Sequence, residues 1–260
     1  MEHSSLQPTS LPRKDIWRVF WRSFFVQSLW NFRSLISVGF GISLFPILKR
    51  LYHTPEDRRA FLMRHFQFFN AHPYLVSYAL GVAMRLEEEI ASGHPEVERK
   101  LERVKELLIS ILGSLGDQLF WFTIRPFSLL IGVVGVYILP EMPAKIAALI
   151  ISFFIYNVPH FYWRYKGIVE GYTFGVDVYR CFQEGRFQKI QKFYTLIGLL
   201  LFSAFFTILG VHYWQQGYIN LIAFVGSTVY TAGFYYLTRN VYLTIFFTVL
   251  FFMLVGIIFL

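Results

Sequence analysis

From Phe193 to Thr238 the chain carries no Asp, Glu, Lys or Arg, and Asn240 to Leu260 carries none either. About 20 apolar residues at ~1.5 Å each cross the hydrocarbon core of a bilayer, so uncharged runs of this length read as membrane-spanning helices. "YWQQGYIN" (Tyr213–Asn220) interrupts the first run with aromatics, amides and a Gly, as an interfacial turn does, and "LTRN" (Leu237–Asn240) interrupts it again. The reading is three spans, near 193–212, 218–237 and 241–260. Two more precede them. Residues 118–139 carry only Arg125 and residues 144–162 only Lys145, with the Pro-punctuated loop "LPEMPAK" between.

The 260 residues are 55% hydrophobic and 15% charged, too few charges to cover a soluble domain, so the chain reads as an integral membrane protein. The net charge of +8 is a matter of topology rather than of nucleic-acid binding. Placing Lys189, Lys192 and Arg239 in the cytoplasm puts Arg164, Lys166, Arg180 and Arg186 inside as well, and the 140–144 loop outside. The N-terminus is then cytoplasmic and the C-terminus outside. "MEHSSLQPTSLPRKD" has no apolar stretch leading to a cleavage site, so no secretory signal is expected. Cys181 is the single cysteine, which excludes an intrachain disulfide and any CxxC site.

The front half is less regular. Arg33–Tyr52 has about fifteen uncharged residues, and Phe66–Met84 is broken by Asn70, His72 and Pro73. Short, Gly- or Pro-interrupted apolar segments have the form of broken or re-entrant helices. "DIWRVFWRSFFVQSLW" (Asp15–Trp30) groups aromatics with Arg18 and Arg22, as a helix lying in the interface does. Gly167, Gly171 and Gly175, four apart, form a small-residue face for close helix packing. The expected fold is an all-α integral membrane protein: a helical bundle with about five C-terminal transmembrane helices and short broken or re-entrant helices in the N-terminal half. Residues 1–14 read as a flexible tail and 15–260 as one membrane-embedded domain. Within it lie an interfacial amphipathic helix (15–30), short segments (33–84), charged cytoplasmic helices (85–110) and the spans (118–260).

The polar residues inside this frame carry any function. "LGSLGDQLFWFTIRPF" places Asp117 and Arg125 where a span begins, and ionisable groups there are costly unless they face a polar interior. On a continuous helix the pair is about 12 Å apart along the axis and ~80° apart in rotation, so each needs another partner. The bland alternative makes Asp117 a helix cap and Arg125 an anchor. Asn70 and His72 precede Pro73, whose missing N–H frees carbonyls there. Glu87 and Glu88 end an apolar run, and Glu89 can pair with Arg85. His65 and His72 have no carboxylate at metal-ligand spacing, so no metal is expected. No nucleotide, hydrolase, metalloprotease or dinucleotide motif is present, so neither a cofactor nor catalysis is expected. A pocket of Asn, His, Asp, Glu, Arg and Trp suits a hydroxyl-rich ligand such as a sugar.

"LWNFRSLISVGFGISLFPILKRLY" (29–52), "FFNAHP" (68–73), "GVAMRLEEE" (81–89) and "GDQLFWFTIRP" (116–126), in that order and spacing, resemble the IID membrane subunit of the mannose/fructose/sorbose-family phosphotransferase system. The resemblance implies a non-catalytic partner of a IIC membrane subunit. The pair would carry a hexose of the mannose type across the bacterial inner membrane, as a trimer of IIC–IID pairs. A IIB subunit, supplied by IIA, HPr and enzyme I, would phosphorylate the sugar. Carried onto this chain, the sugar-binding positions are Asn70, His72, Glu87, Glu88, Asp117 and Arg125, with Trp30 and Asn31.

The chain departs from the family pattern at Ala71, where Thr is usual, and at Arg33, where an acidic residue is usual. Ile111 and Ser114 stand where a Pro and a Gly are usual, which should stiffen a bend before Asp117. These departures sustain a second reading, a transport-incompetent scaffold that docks phosphotransferase components. A third, an unrelated membrane enzyme using Asp117, Arg125 and His72, lacks a visible nucleophile–base set.

Overall fold

The computed structural model describes residues 11–183 and 185–259; residues 1–10, most of the expected tail, lie outside the described residues. The helices are α1 (Arg13–Ser23), α2 (Ser37–Ser43), α3 (Phe45–Leu51), α4 (Pro55–His65), α5 (Val76–Ala91) and α6 (Val97–Gly116), then α7 (Arg125–Ile138), α8 (Met142–Phe174), α9 (Arg180–Gln183), α10 (Arg186–Gln215), α11 (Tyr218–Thr238) and α12 (Val241–Phe259). A π-helical segment, Asp117–Ile124, joins α6 to α7, and a 3₁₀ turn, Gly175–Tyr179, joins α8 to α9. Among the described residues there is no strand, only two isolated bridges, Asn31 to Leu35 and Leu35 to Phe69. The protein is all-α. Among the described residues, four helical stretches are long and apolar enough to cross a bilayer: Val97–Ile138, Met142–Gln183, Arg186–Gln215 and Tyr218–Thr238.

The short front-half helices follow from local chemistry. Thr54 caps α4 by accepting the Asp57 amide at 3.1 Å, Pro55 opens its first turn, and Glu56 and Asp57 in the first turn against Arg64 in the last match the helix dipole. α2 and α3 are seven residues each and meet at Leu44. α1 covers 13–23, shorter than the amphipathic stretch in the sequence, and keeps Trp17 and Trp21 exposed while burying Val19 and Phe20.

The C-terminal helices overrun the expected spans. α8 continues through Pro159 for 33 residues, about 50 Å, and ends at Gly175, whose φ of +51° suits a residue without a side chain. The first span does not start at Asp117 either. The helix enters from α6, passes without a break through Ile111 and Ser114, and widens into the π segment. Among the described residues the Asp117 side chain makes no capping hydrogen bond, against the reading of it as a helix cap. Pro126 offers no N–H to the turn before it, and the Arg125 amide donates instead to the Phe120 carbonyl, five residues back.

The chain divides into two compact units, Met1–Gly198 and Leu199–Leu260. In the first, α5 is buried on every side from Val76 to Met84, as a helix apolar all round must be. It packs on α8 where Gly81, Gly167 and Gly171 meet the opposing backbone or the side chains of Ser77 and Tyr78; a methyl group at any of the three would collide. In the second, α11 and α12 form a hairpin through the Tyr230–Phe251 stack (4.6 Å) and the Phe234–Phe247 pair (5.5 Å).

Candidate functional site

The polar residues of the first unit separate into groups that the fold satisfies and groups that it leaves open. Glu87, on the last turns of α5, is fully buried. Its Oε1 accepts from Arg64 Nε (2.9 Å) and pairs with His65 Nε2 (2.8 Å). Its Oε2 accepts from Arg64 Nη2 (2.8 Å) and Tyr52 O–H (2.6 Å). Lys105 of α6 closes the cluster by donating to the Arg64 carbonyl at 2.7 Å. Burial alone would raise the Glu87 carboxyl, but the bonds from His65 and Arg64 outweigh it and hold the group down at about 2. Burial is the larger influence on His65, which is lowered to about 4 and therefore neutral, donating through Nε2. One residue on, Glu88 accepts from Tyr172 O–H of α8 at 2.6 Å. In this conformation neither carboxylate is presented to a ligand.

The π segment is different. His72, 2% exposed, stacks on Phe120 (5.3 Å) and meets the edge of Trp121 (5.0 Å). Its ring occupies the space where a side chain on Gly116 would stand, so glycine at 116 is required for this approach. The Tyr74 amide donates to His72 Nδ1 at 3.3 Å, which fixes the neutral ring with its proton on Nε2; that atom has no hydrogen-bond partner among the described residues. Asp117 is half-buried, Arg125 and Asn70 are exposed, and none of the three makes an ion pair or side-chain hydrogen bond among the described residues.

A third element adjoins it. The Asn31 carboxamide accepts from the Arg33 and Ser34 amides (3.0 and 2.9 Å), closing a turn that leaves Trp30 half exposed. Leu35 follows in the left-handed region (φ 55°), held there by paired backbone bonds to Asn31. The Phe69 carbonyl accepts from the Ile36 amide at 3.2 Å, tying this turn to the strand-like approach of Asn70.

These stretches, 29–36, 68–73 and 116–126, all lie within the part of the chain that is like proteins of known kind. Residues 10–213 match the family described as PTS system mannose/fructose/sorbose family IID component. The chain belongs to that family. The mannose-specific EIID component of Escherichia coli K12 is 32% identical over 195 residues, covering 75% of this chain and 67% of that one. The fructose permease IID component of Bacillus subtilis is 29% identical, covering 75% and 69%. A solved complex of the mannose transporter ManYZ with microcin E492 contains a chain of TM-score 0.58 and 31% identity, covering 76% of this chain and 70% of that one. A second solved membrane protein gives a TM-score of 0.65 at 31% identity.

As a IID component, this protein is a membrane part of a sugar phosphotransferase system in the bacterial inner membrane. Within the IID fold, the turn at Trp30–Asn31, the Asn70–His72 approach and the π segment at Asp117 are laced together through the Leu35–Phe69 bridge and the His72 ring. Glu87 and Glu88 lie in self-contained clusters instead. The sequence reasoning missed the Glu87 partners Tyr52, Arg64 and His65, and Lys105, which holds the Arg64 backbone. An available signal was the polar pair Arg64–His65 directly ahead of the aromatic-rich "FQFF".

Proposed function

We propose that this IID component pairs with a IIC subunit to form the permease for a hexose of the mannose type, and performs no chemistry itself. Phosphorylation of the sugar belongs to IIB, supplied by IIA, and the pairs associate as trimers with the N-terminus in the cytoplasm and the C-terminus outside. Asn70, His72, Asp117 and Arg125, with Trp30 and Asn31, line the hexose path or the seam with IIC. Glu87 and Glu88 fix α5 against its neighbours.

The observation that supports this is the set of polar groups left open around the π segment. An ionisable group at the start of an apolar span is costly without a partner, and Asp117 and Arg125 have none among the described residues. A hydroxyl-rich ligand or a second membrane subunit supplies what the chain lacks. In cells expressing the whole system, Asn70→Ala and Arg125→Gln each lower hexose uptake about tenfold, the loss of one strong hydrogen bond, while IIC and IID still purify together. Unchanged uptake in both removes these residues from the path.

The unbroken passage of α6 through Ile111 and Ser114 favours a second reading, a scaffold whose stiffened segment no longer moves sugar. It predicts retained capture of IIB with no hexose binding by calorimetry.

A further inference from the structure

In the first unit a groove of about 520 Å³ opens between the end of the π segment, α8 and the start of α10. Val158, Pro159, Tyr162 and Trp163 form one wall, and Ile190 and Phe193 the other. Lys189 is the single charged residue on the lining. The rim is apolar and outward-facing: Val158, Tyr162 and Phe193 are all more than half exposed.

We infer that this groove binds one acyl chain of an anionic phospholipid, with the phosphate held at Lys189. Two observations select that occupant. The first is charge. Lys189 and Lys192, on one end of α10, are exposed and make no ion pair among the described residues, whereas the neighbouring Arg186 is consumed by Glu170 at 2.9 and 3.0 Å. Lys166 adds a third cation at the same end, more loosely paired with Glu170 at 3.7 Å, its Nζ 3.0 Å from the Tyr162 hydroxyl and 5.5 Å from the Trp163 ring centroid. Basic clusters between transmembrane helices at a membrane surface bind anionic headgroups.

The second observation is wall chemistry. A partner helix approaches closely over Gly, Ala, Ser or Thr. The cavity of about 590 Å³ in the second unit offers those residues, at Ser227, Thr228, Thr231 and Ala232. The groove at Pro159 offers none; its walls are branched and aromatic, which a flexible hydrocarbon chain fills and a rigid helix does not.

Native mass spectrometry of the full chain in its purified membrane complex tests this, with phosphatidylglycerol and phosphatidylcholine of identical acyl chains as probes. The expected result is selective retention of phosphatidylglycerol, falling about fivefold for each lysine removed in Lys189→Gln and in Lys189→Gln/Lys192→Gln. Val158→Trp, which fills the groove from its exposed wall, abolishes that selective retention, and Val158→Leu preserves it. Equal retention of the two lipids overturns the inference. So does selectivity that survives Val158→Trp, since the lysines would then act without the groove. Cross-linking of Val158→Cys to a helix of a partner subunit also overturns it.

Discussion

Glu87 and Asp117 are both carboxylates next to apolar runs, yet the fold treats them in opposite ways. Glu87 receives four bonds from Tyr52, Arg64 and His65 and is sealed. Asp117, at the start of the π segment, is half-buried and receives none among the described residues. A buried charge satisfied by its own chain keeps the chain folded, and removing one partner leaves the others stranded. A charge left open at a membrane segment does no such work for the monomer. Its cost is tolerable only where something outside the chain completes it. The contrast separates residues that hold the subunit together from the residues proposed above to meet a ligand or a second subunit.

The contrast breaks first at Glu87. Glu87→Gln leaves buried Arg64 with only the more exposed Glu98, 3.7 Å away, as counter-charge and should destabilise the purified protein by about 3 kcal/mol, read as a fall in Tm; Arg64→Leu/Glu87→Leu, removing both, should recover most of that. Next is the α5–α8 contact. Gly171→Val forces a side chain against the Tyr78 carbonyl and should cost about 1–3 kcal/mol or prevent accumulation in the membrane.

Acid sharpens the comparison. His65 folds neutral, lowered from 6.5 to about 4, so its contribution is complete above pH 6.5 and is lost as pH falls toward 4, at about 1 kcal/mol per pH unit. Glu87, lowered from 4.5 to about 2, extends the loss from pH 4.5 downward. His65→Phe should flatten the stability profile above pH 4.5. The smallest effect is Tyr172→Phe, which removes one bond to Glu88 and should cost about 1 kcal/mol.

Much of the fold was legible because membrane spans announce themselves by what they exclude. The charge-free stretches after Phe193 become α10, α11 and α12, and the Gly167–Gly171 spacing becomes the close face of α8. What the sequence hid is where charged helices continue into apolar ones. "VERKLERVKELL" reads as solvated, "QLFWFTI" as membrane, and nothing local marks that one helix carries both. The π segment was hidden too, since its register depends on Pro126 and on Thr123 bonding the Gln118 carbonyl at 2.7 Å, not on periodicity. For the site, residue types were visible and pairings were not. Glu87 meets Arg64 across 23 residues and Glu88 meets Tyr172 across 84, distances over which sequence pattern carries no signal.

The most direct test is hexose uptake by cells expressing the whole transport system with Asp117→Asn, normalised to the amount of subunit in the membrane. An isosteric loss of charge at an open site should lower uptake at least about tenfold with abundance and Tm unchanged. Wild-type uptake, or a loss explained by reduced abundance, would contradict the division between sealed and open charges.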